Sequence, residues 1–335
     1  MPSLRSYLLN EGTRFLMRWM FRGGKPVSAY RSRMQRMDAL QKRPPPDGLV
    51  IEDQAGPVAG RWIRGATAER RQQILYLHGG AFVFRMLEGQ SAMVASLCAK
   101  AGANAFFPFY RLAPENPFPA APMDALAAYR HLLSCGHEPT NIVVMGDSAG
   151  GNLALVLLHM LRREGLPMPL GCIVLSPVTD MAHVSASWRL SAWRDPLYGV
   201  MPTLNPARSY QRDANALDPL VSPIYGDFTG FPPIRVIVGE REALLEECVG
   251  LVRKCVDSGI ASKVQIWRGM PHVFMLMHML PEAALAEREV VSWLHELKTA
   301  NAPARDDLYR HCVEMVNVAA ISHRLSRETN MVFAN

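Results

Sequence analysis

The apolar positions change their period along the chain. From residue 3 to about residue 40, Leu4, Leu8, Phe15, Trp19 and Met20 recur at spacings that fit one face of a helix. Lys42-Arg-Pro-Pro-Pro-Asp-Gly48 ends that segment, because three consecutive prolines cannot continue a helix. Beyond it, short apolar runs alternate with longer helical patterns, which predicts βα units around a mostly parallel sheet. The runs place strands at Leu49–Glu52, Gly60–Ile63, Ile74–Leu77, Asn104–Phe107, Ile142–Met145, Cys172–Leu175, Ile234–Val238 and Lys263–Trp267. Helices are predicted at Ser91–Lys100, Pro119–Leu133, Ala149–Arg163, Leu244–Ser258 and Glu282–Leu297. Ile142–Met145 is apolar at every position, as expected of a strand covered on both faces.

Residues 181–220 break this rhythm. They are rich in Trp, Arg, Pro and Asn and offer no clear strand. The expected organisation is therefore a core at 46–180 and 221–298, capped by an N-terminal helical segment at 1–45 and an inserted one at 181–220. The tail at 299–335 has no role legible in its composition, and Asp306–Ile321 is predicted as one more helix.

With 335 residues, 49% of them apolar, the chain can bury a large core. It contains no run of about 18 apolar residues to span a membrane. Glu11 and Arg14 interrupt the apolar residues near the N-terminus, so no signal peptide is expected. The six cysteines (Cys98, Cys135, Cys172, Cys248, Cys255 and Cys312) form no CxxC pair and no zinc spacing. A reduced, cytoplasmic protein fits best. Charge is uneven: residues 1–43 hold ten Lys and Arg against Glu11 and Asp38, a balance of +8, so the rest carries −2 of the total +6. The basic arm reads as a solvated helix face or as a weak contact with an anionic membrane surface. No nucleic-acid motif accompanies it, so no nucleic-acid partner is expected.

Candidate chemistry begins at Gly146-Asp-Ser148-Ala-Gly150, a G-x-S-x-G pattern. The pattern alone is weak, but it sits between the apolar run Ile142–Met145 and the helical run from Ala149, the strand–turn–helix context that a nucleophile elbow requires. Ser148 is the candidate nucleophile. Its place at a helix N-terminus favours developing negative charge. His78-Gly79-Gly80-Ala81 follows the predicted strand Ile74–Leu77 and supplies backbone amides for an oxyanion. The expected donors are Gly79, Gly80 and Ala149, with His78 holding its loop rather than acting as base. His272, in Gly269-Met-Pro-His272 after the strand Lys263–Trp267, is the candidate base, and His278 a satisfied core or surface histidine. An acid to orient His272 should follow the strand Ile234–Val238. Glu242 is preferred and Glu240 is the alternative; Glu246 and Glu247 fall on the helix as surface or interface charges, and Asp180 is an outside candidate.

These residues resemble the bacterial hormone-sensitive-lipase-like esterases of the α/β-hydrolase fold. The resemblance spans about residues 40–297 and rests on LYLHGGA (75–81), YRLAPENPFPA (110–120), GDSAGGNLAL (146–155), LSPVTD (175–180), DPLVSP (218–223), VGEREALLEE (238–247) and GMPHVF (269–274), in that order. It implies a mostly parallel central sheet flanked by helices, with a small helical cap. It further implies hydrolysis of short- to medium-chain acyl esters without metal or organic cofactor. Glu242 matches the family's acid, where relatives often carry Asp. Two departures stand out: Ala81 replaces a third glycine, and Arg85-Met86 stands where relatives often have Gly-Ser. The same catalytic residues would also serve an amide or thioester hydrolase or an acyltransferase, and a non-catalytic ligand receptor would use the same fold. A homodimer through Glu282–Leu297 beside an edge strand is a further expectation.

Overall fold

The computed structural model describes residues 4–65, 72–185, 187–188, 195–196, 207–299 and 312–316. Among the described residues nine strands form a single sheet: β1 (Leu49–Gln54), β2 (Gly60–Gly65), β3 (Gln72–Leu77), β4 (Ala103–Pro108), β5 (Ile142–Asp147), β6 (Gly171–Leu175), β7 (Ile234–Gly239), β8 (Ser262–Trp267) and β9 (Val313–Val316). The order across the sheet is β1-β2-β4-β3-β5-β6-β7-β8-β9. β1 and β2 run antiparallel to their neighbours; the pairings from β4 to β9 are parallel. Each of the eight predicted strands is present within a residue or two of its expected bounds.

Seven helices accompany the sheet among the described residues: α1 (Leu4–Met20), α2 (Val27–Asp38), α3 (Glu88–Ala101), α4 (Ala120–Ser134), α5 (Ala149–Arg163), α6 (Leu245–Asp257) and α7 (Pro281–Thr299). The side-chain period of two explains the apolar central strands. Ile142 and Val144 of β5 face the layer built from α4, α5 and α6. Val143 and Met145 face the opposite layer, built from α3 and α7.

Three expectations need correction. The helical segment at residues 3–40 is two helices, broken at Gly23 and Gly24, whose φ values of 100° and 54° no α-helix accommodates. Nor do its apolar residues share one face. Met20 is buried, whereas Phe15 and Trp19 point to solvent; the side chains of Leu4 and Leu8 lie outside the described residues. In the tail, Val313–Val316 is a strand rather than part of a helix. β8 would otherwise leave a row of backbone groups unpaired, and tertiary pairing overrides local preference there. Glu314 locks the register, accepting from Gln265 at 2.9 Å and pairing with Lys263 at 2.7 Å. β8 is therefore not the outermost strand beside α7.

Candidate active site

The C-terminal ends of β3, β5, β7 and β8 converge on one rim, where loops of parallel sheets gather ligands. β5 ends in a turn so tight that its glycines have no room for a side chain. A Cβ on Gly150 would lie 1.9 Å from the Leu77 carbonyl oxygen, and one on Gly146 2.3 Å from that of Gly150. Between them Ser148 adopts φ 52° and ψ −118°, a conformation that costs a non-glycine residue about 1–3 kcal/mol. The turn stands Ser148 at the head of α5. The Asn152 side chain braces that helix, donating to the carbonyls of Val178 and Val221, both at 2.9 Å.

His272 comes from the loop after β8 and Glu242 from the loop after β7. The Ser148 hydroxyl lies 2.9 Å from His272 Nε2, and His272 Nδ1 lies 2.8 Å from Glu242 Oε2. A carboxylate can only accept, so Nδ1 carries the proton and Nε2 is left free to accept from the serine. All three side chains are buried. The second Glu242 oxygen accepts from the Ser176 hydroxyl at 2.6 Å and the Gly239 amide at 2.5 Å. Ser176 in turn accepts from the Val273 amide at 3.1 Å, tying the acid and histidine loops together.

Burial alone would push the His272 pKa down. The charge of Glu242 and its hydrogen bond outweigh that, with smaller help from Asp195 and Asp147, and the pKa is raised above the ordinary histidine value. A base must be neutral to accept a proton. The acid limb of kcat/KM is therefore expected above pH 6.5, with activity rising as His272 deprotonates and falling below that limb. A profile on a soluble ester checks this; a limb at or below pH 6 would contradict it.

The other carboxylates singled out in the sequence do other work. Glu240 is exposed and accepts from the Gly269 amide at 2.9 Å, steadying the histidine loop. Glu246 accepts from the Ser187 amide at 3.0 Å. Glu247 is neither a surface nor an interface charge: it is buried inside the fold, accepts from the Thr179 amide at 2.7 Å, and burial pushes its pKa up to about 8. Asp180 caps its own loop, accepting from the amides of Ala182 and Val184. His278 is exposed in a turn before α7.

The loop after β3 shows a second correction. The Gly79 amide donates to Asp147 Oδ1 at 2.8 Å, so it is not available to an oxyanion. The next three residues, Gly80, Ala81 and Phe82, all have positive φ, of 122°, 52° and 61°. Turns of this kind can present backbone amides to an anion. Asp147 anchors the loop from below, also accepting from Tyr76 at 2.8 Å and from Gln90 at 2.9 Å. From the side, the Arg31 guanidinium of α2 donates to the Val83 carbonyl at 2.7 Å and pairs with Glu115 at 2.7 Å. Tyr110 donates to the His78 carbonyl at 2.7 Å and stacks on its ring. Burial lowers the His78 pKa to about 4, so this ring stays neutral and braces the loop.

A cavity of about 280 Å³ opens beside Ser148 and His272. Met17 and Met20 of α1, Met34 and Met37 of α2, and Met277 give it an adaptable apolar wall. Arg85 lies instead beside Gln35 of α2, and Met86 packs into the core on the far side of the sheet, so neither lines this cavity.

Ser176, Asp147, Gln90 and Arg31 escaped the sequence reading as site residues. Asp147 and Ser176 lie inside quoted motifs, GDSAGG and LSPVTD, yet nothing local says which carbonyl or amide they meet. Gln90 and Arg31 carry no local signal at all.

A model of the alpha/beta hydrolase fold family matches residues 74–276. An acetyl-hydrolase of Streptomyces hygroscopicus is 35% identical over 244 residues, spanning 72% of this chain and 80% of that protein. An esterase of Acinetobacter venetianus is 31% identical over 250 residues, spanning 73% and 82%. Among solved structures, an esterase from the bacterial hormone-sensitive lipase family superposes with a TM-score of 0.80 at 32% identity, covering 89% of this chain and 100% of the other. The esterase EstE5, in crystals soaked with p-nitrophenyl butyrate, superposes with a TM-score of 0.80 at 33% identity over the same shares.

Proposed function

The chain belongs to the hormone-sensitive-lipase-like α/β hydrolases and is a serine carboxylesterase, and on that premise we propose that Ser148, His272 and Glu242 carry out two-step acyl transfer on short- to medium-chain esters. The observation that carries this reading is the continuous hydrogen-bonded chain from the Ser148 hydroxyl through His272 to Glu242.

Ser148 Oγ attacks the ester carbonyl while His272 Nε2 takes its proton. Glu242 fixes the tautomer and stabilises the imidazolium. Negative charge builds on the former carbonyl oxygen, which the amides of Gly80, Ala81 and Ala149 receive. Ala149 is the first residue of α5, so its amide has no partner four residues back. Each such donor is worth about 2.7–4 kcal/mol in the transition state. Collapse of the intermediate breaks the bond to the alcohol oxygen, which leaves with the proton from His272. Water then gives its proton to His272 and its oxygen to the acyl carbon; the acid departs and Ser148 regains its hydroxyl.

We assign the cap to the segments at 1–45 and 181–220, of which residues 1–3, 186, 189–194 and 197–206 lie outside the described residues. α1 and α2 form one wall of the acyl cavity, and Tyr210 stacks on Phe82 of the oxyanion loop at 3.7 Å. A cavity of about 280 Å³ falls just below the usual range of roughly 300–1,000 Å³ for small-molecule sites. Activity is expected to be greatest on short p-nitrophenyl esters such as the butyrate and to fall roughly 5- to 150-fold on long-chain ones, since overfilling a packed cavity costs about 1–3 kcal/mol. A kcat/KM series across chain lengths checks this. A maximum at long chains would refute the chain-length reading, and inactivity on every ester would refute the reaction itself.

A further inference from the structure

Helix α1 presents two unlike faces. Its inner face belongs to the enzyme: Asn10 and Met20 are buried, Asn10 donates to the Gly269 carbonyl of the histidine loop at 3.1 Å, and Thr13, Leu16 and Met17 line the acyl cavity. Its outer face carries Tyr7, Phe15 and Trp19, which are 56%, 76% and 57% exposed. Exposed Arg18 and Arg22 interleave with these rings. At 3.6 residues per turn Tyr7, Phe15, Arg18 and Trp19 fall within an arc of about 120°, and Arg22 follows in the turn after the helix. The Arg33 guanidinium of α2 also lies 5.9 Å from the Trp19 ring centroid.

Single exposed apolar residues need no explanation, but three large rings in one stripe do. The charge narrows the choice of partner. Residues 1–43 carry +8 while the rest of the chain carries −2, so the stripe sits in the only strongly cationic part of the sequence. A second copy of the chain would bring the same positive excess to a self-contact, and like charges would oppose it. Aromatic rings flanked by guanidinium groups match the boundary between lipid headgroups and acyl chains, where the rings seat at the interface and arginines meet phosphates.

We propose that the outer face of α1 docks the enzyme on a lipid surface bearing anionic headgroups. The cavity beside Ser148 lies on the opposite side of the same helix, one helix diameter of about 10 Å from that surface. Docking itself does not depend on the hydrolytic reading, so the two fail separately.

The test is co-sedimentation of the full chain with vesicles of phosphatidylcholine alone and of phosphatidylcholine mixed with phosphatidylglycerol, at low and high salt. The chain is expected to pellet with the mixed vesicles and to be released by salt. Tyr7→Ser/Phe15→Ser/Trp19→Ser should weaken binding about tenfold or more. Arg18→Glu/Arg22→Glu should reduce binding to the level seen with phosphatidylcholine alone. Hydrolysis of a water-soluble short ester should stay within about twofold in both variants, because none of these side chains lines the cavity. Absence of binding by the native chain, or binding by either variant as strong as that of the native chain, overturns the proposal. So does sedimentation velocity showing a dimer that the aromatic variant dissociates, which would make the stripe a contact between copies.

Discussion

Replacing Ser148 by alanine is expected to lower kcat on a soluble ester by roughly 10⁴–10⁶-fold, since loss of the nucleophile disables the whole relay at once. The fold should survive. Alanine keeps the Cβ, and the turn at φ 52° is imposed by the packing of Gly146 and Gly150 rather than by the hydroxyl. A thermal midpoint within a few degrees of wild type is expected alongside the lost activity. The removed contact is the 2.9 Å hydrogen bond to His272, and no other hydroxyl among the described residues takes that place. Retention of more than a few per cent of the wild-type rate would remove Ser148 from the mechanism.

Glu242→Ala is expected to cost about 10⁴-fold in kcat, because His272 loses the group that holds its tautomer and stabilises its charge. Stability should fall as well. The Ser176 hydroxyl and the Gly239 amide would lose their shared acceptor in a buried site, at about 1–3 kcal/mol for each group left unsatisfied. Glu240→Ala removes one exposed acceptor from the Gly269 amide, and its effect on kcat should remain within about tenfold. Parallel kinetics on the two variants, with urea unfolding of each, separate the roles. A larger loss of kcat from Glu240→Ala would overturn the assignment of the acid.

The sheet was legible because its central strands obey a simple rule. A run such as Ile142–Met145, apolar at every position, makes sense only with both faces covered, and both are. β9 was not legible, since Val313–Val316 becomes a strand through the open side of β8, a long-range demand that no local pattern carries. The two faces of α1 were misread for a related reason: Phe15, Trp19 and Met20 are all apolar, and only packing separates the buried one from the exposed two. Ser148, His272 and Glu242 could be named because strand–turn–helix context and chain order constrain them. Gly79 could not be excluded as an oxyanion donor from sequence, because its amide is claimed by Asp147, a residue 68 positions away. Glu247 likewise looked like a surface or interface charge until the fold buried it against the Thr179 amide.

The central claim is that an acyl group passes through a covalent bond to one serine oxygen. Incubation with a phosphorylating ester analogue, followed by peptide mass spectrometry, tests it most directly. The expected result is one adduct per chain, on the peptide containing Ser148, with activity lost in proportion to labelling. Full labelling at another residue, or an enzyme that stays active with Ser148 fully modified, would contradict it.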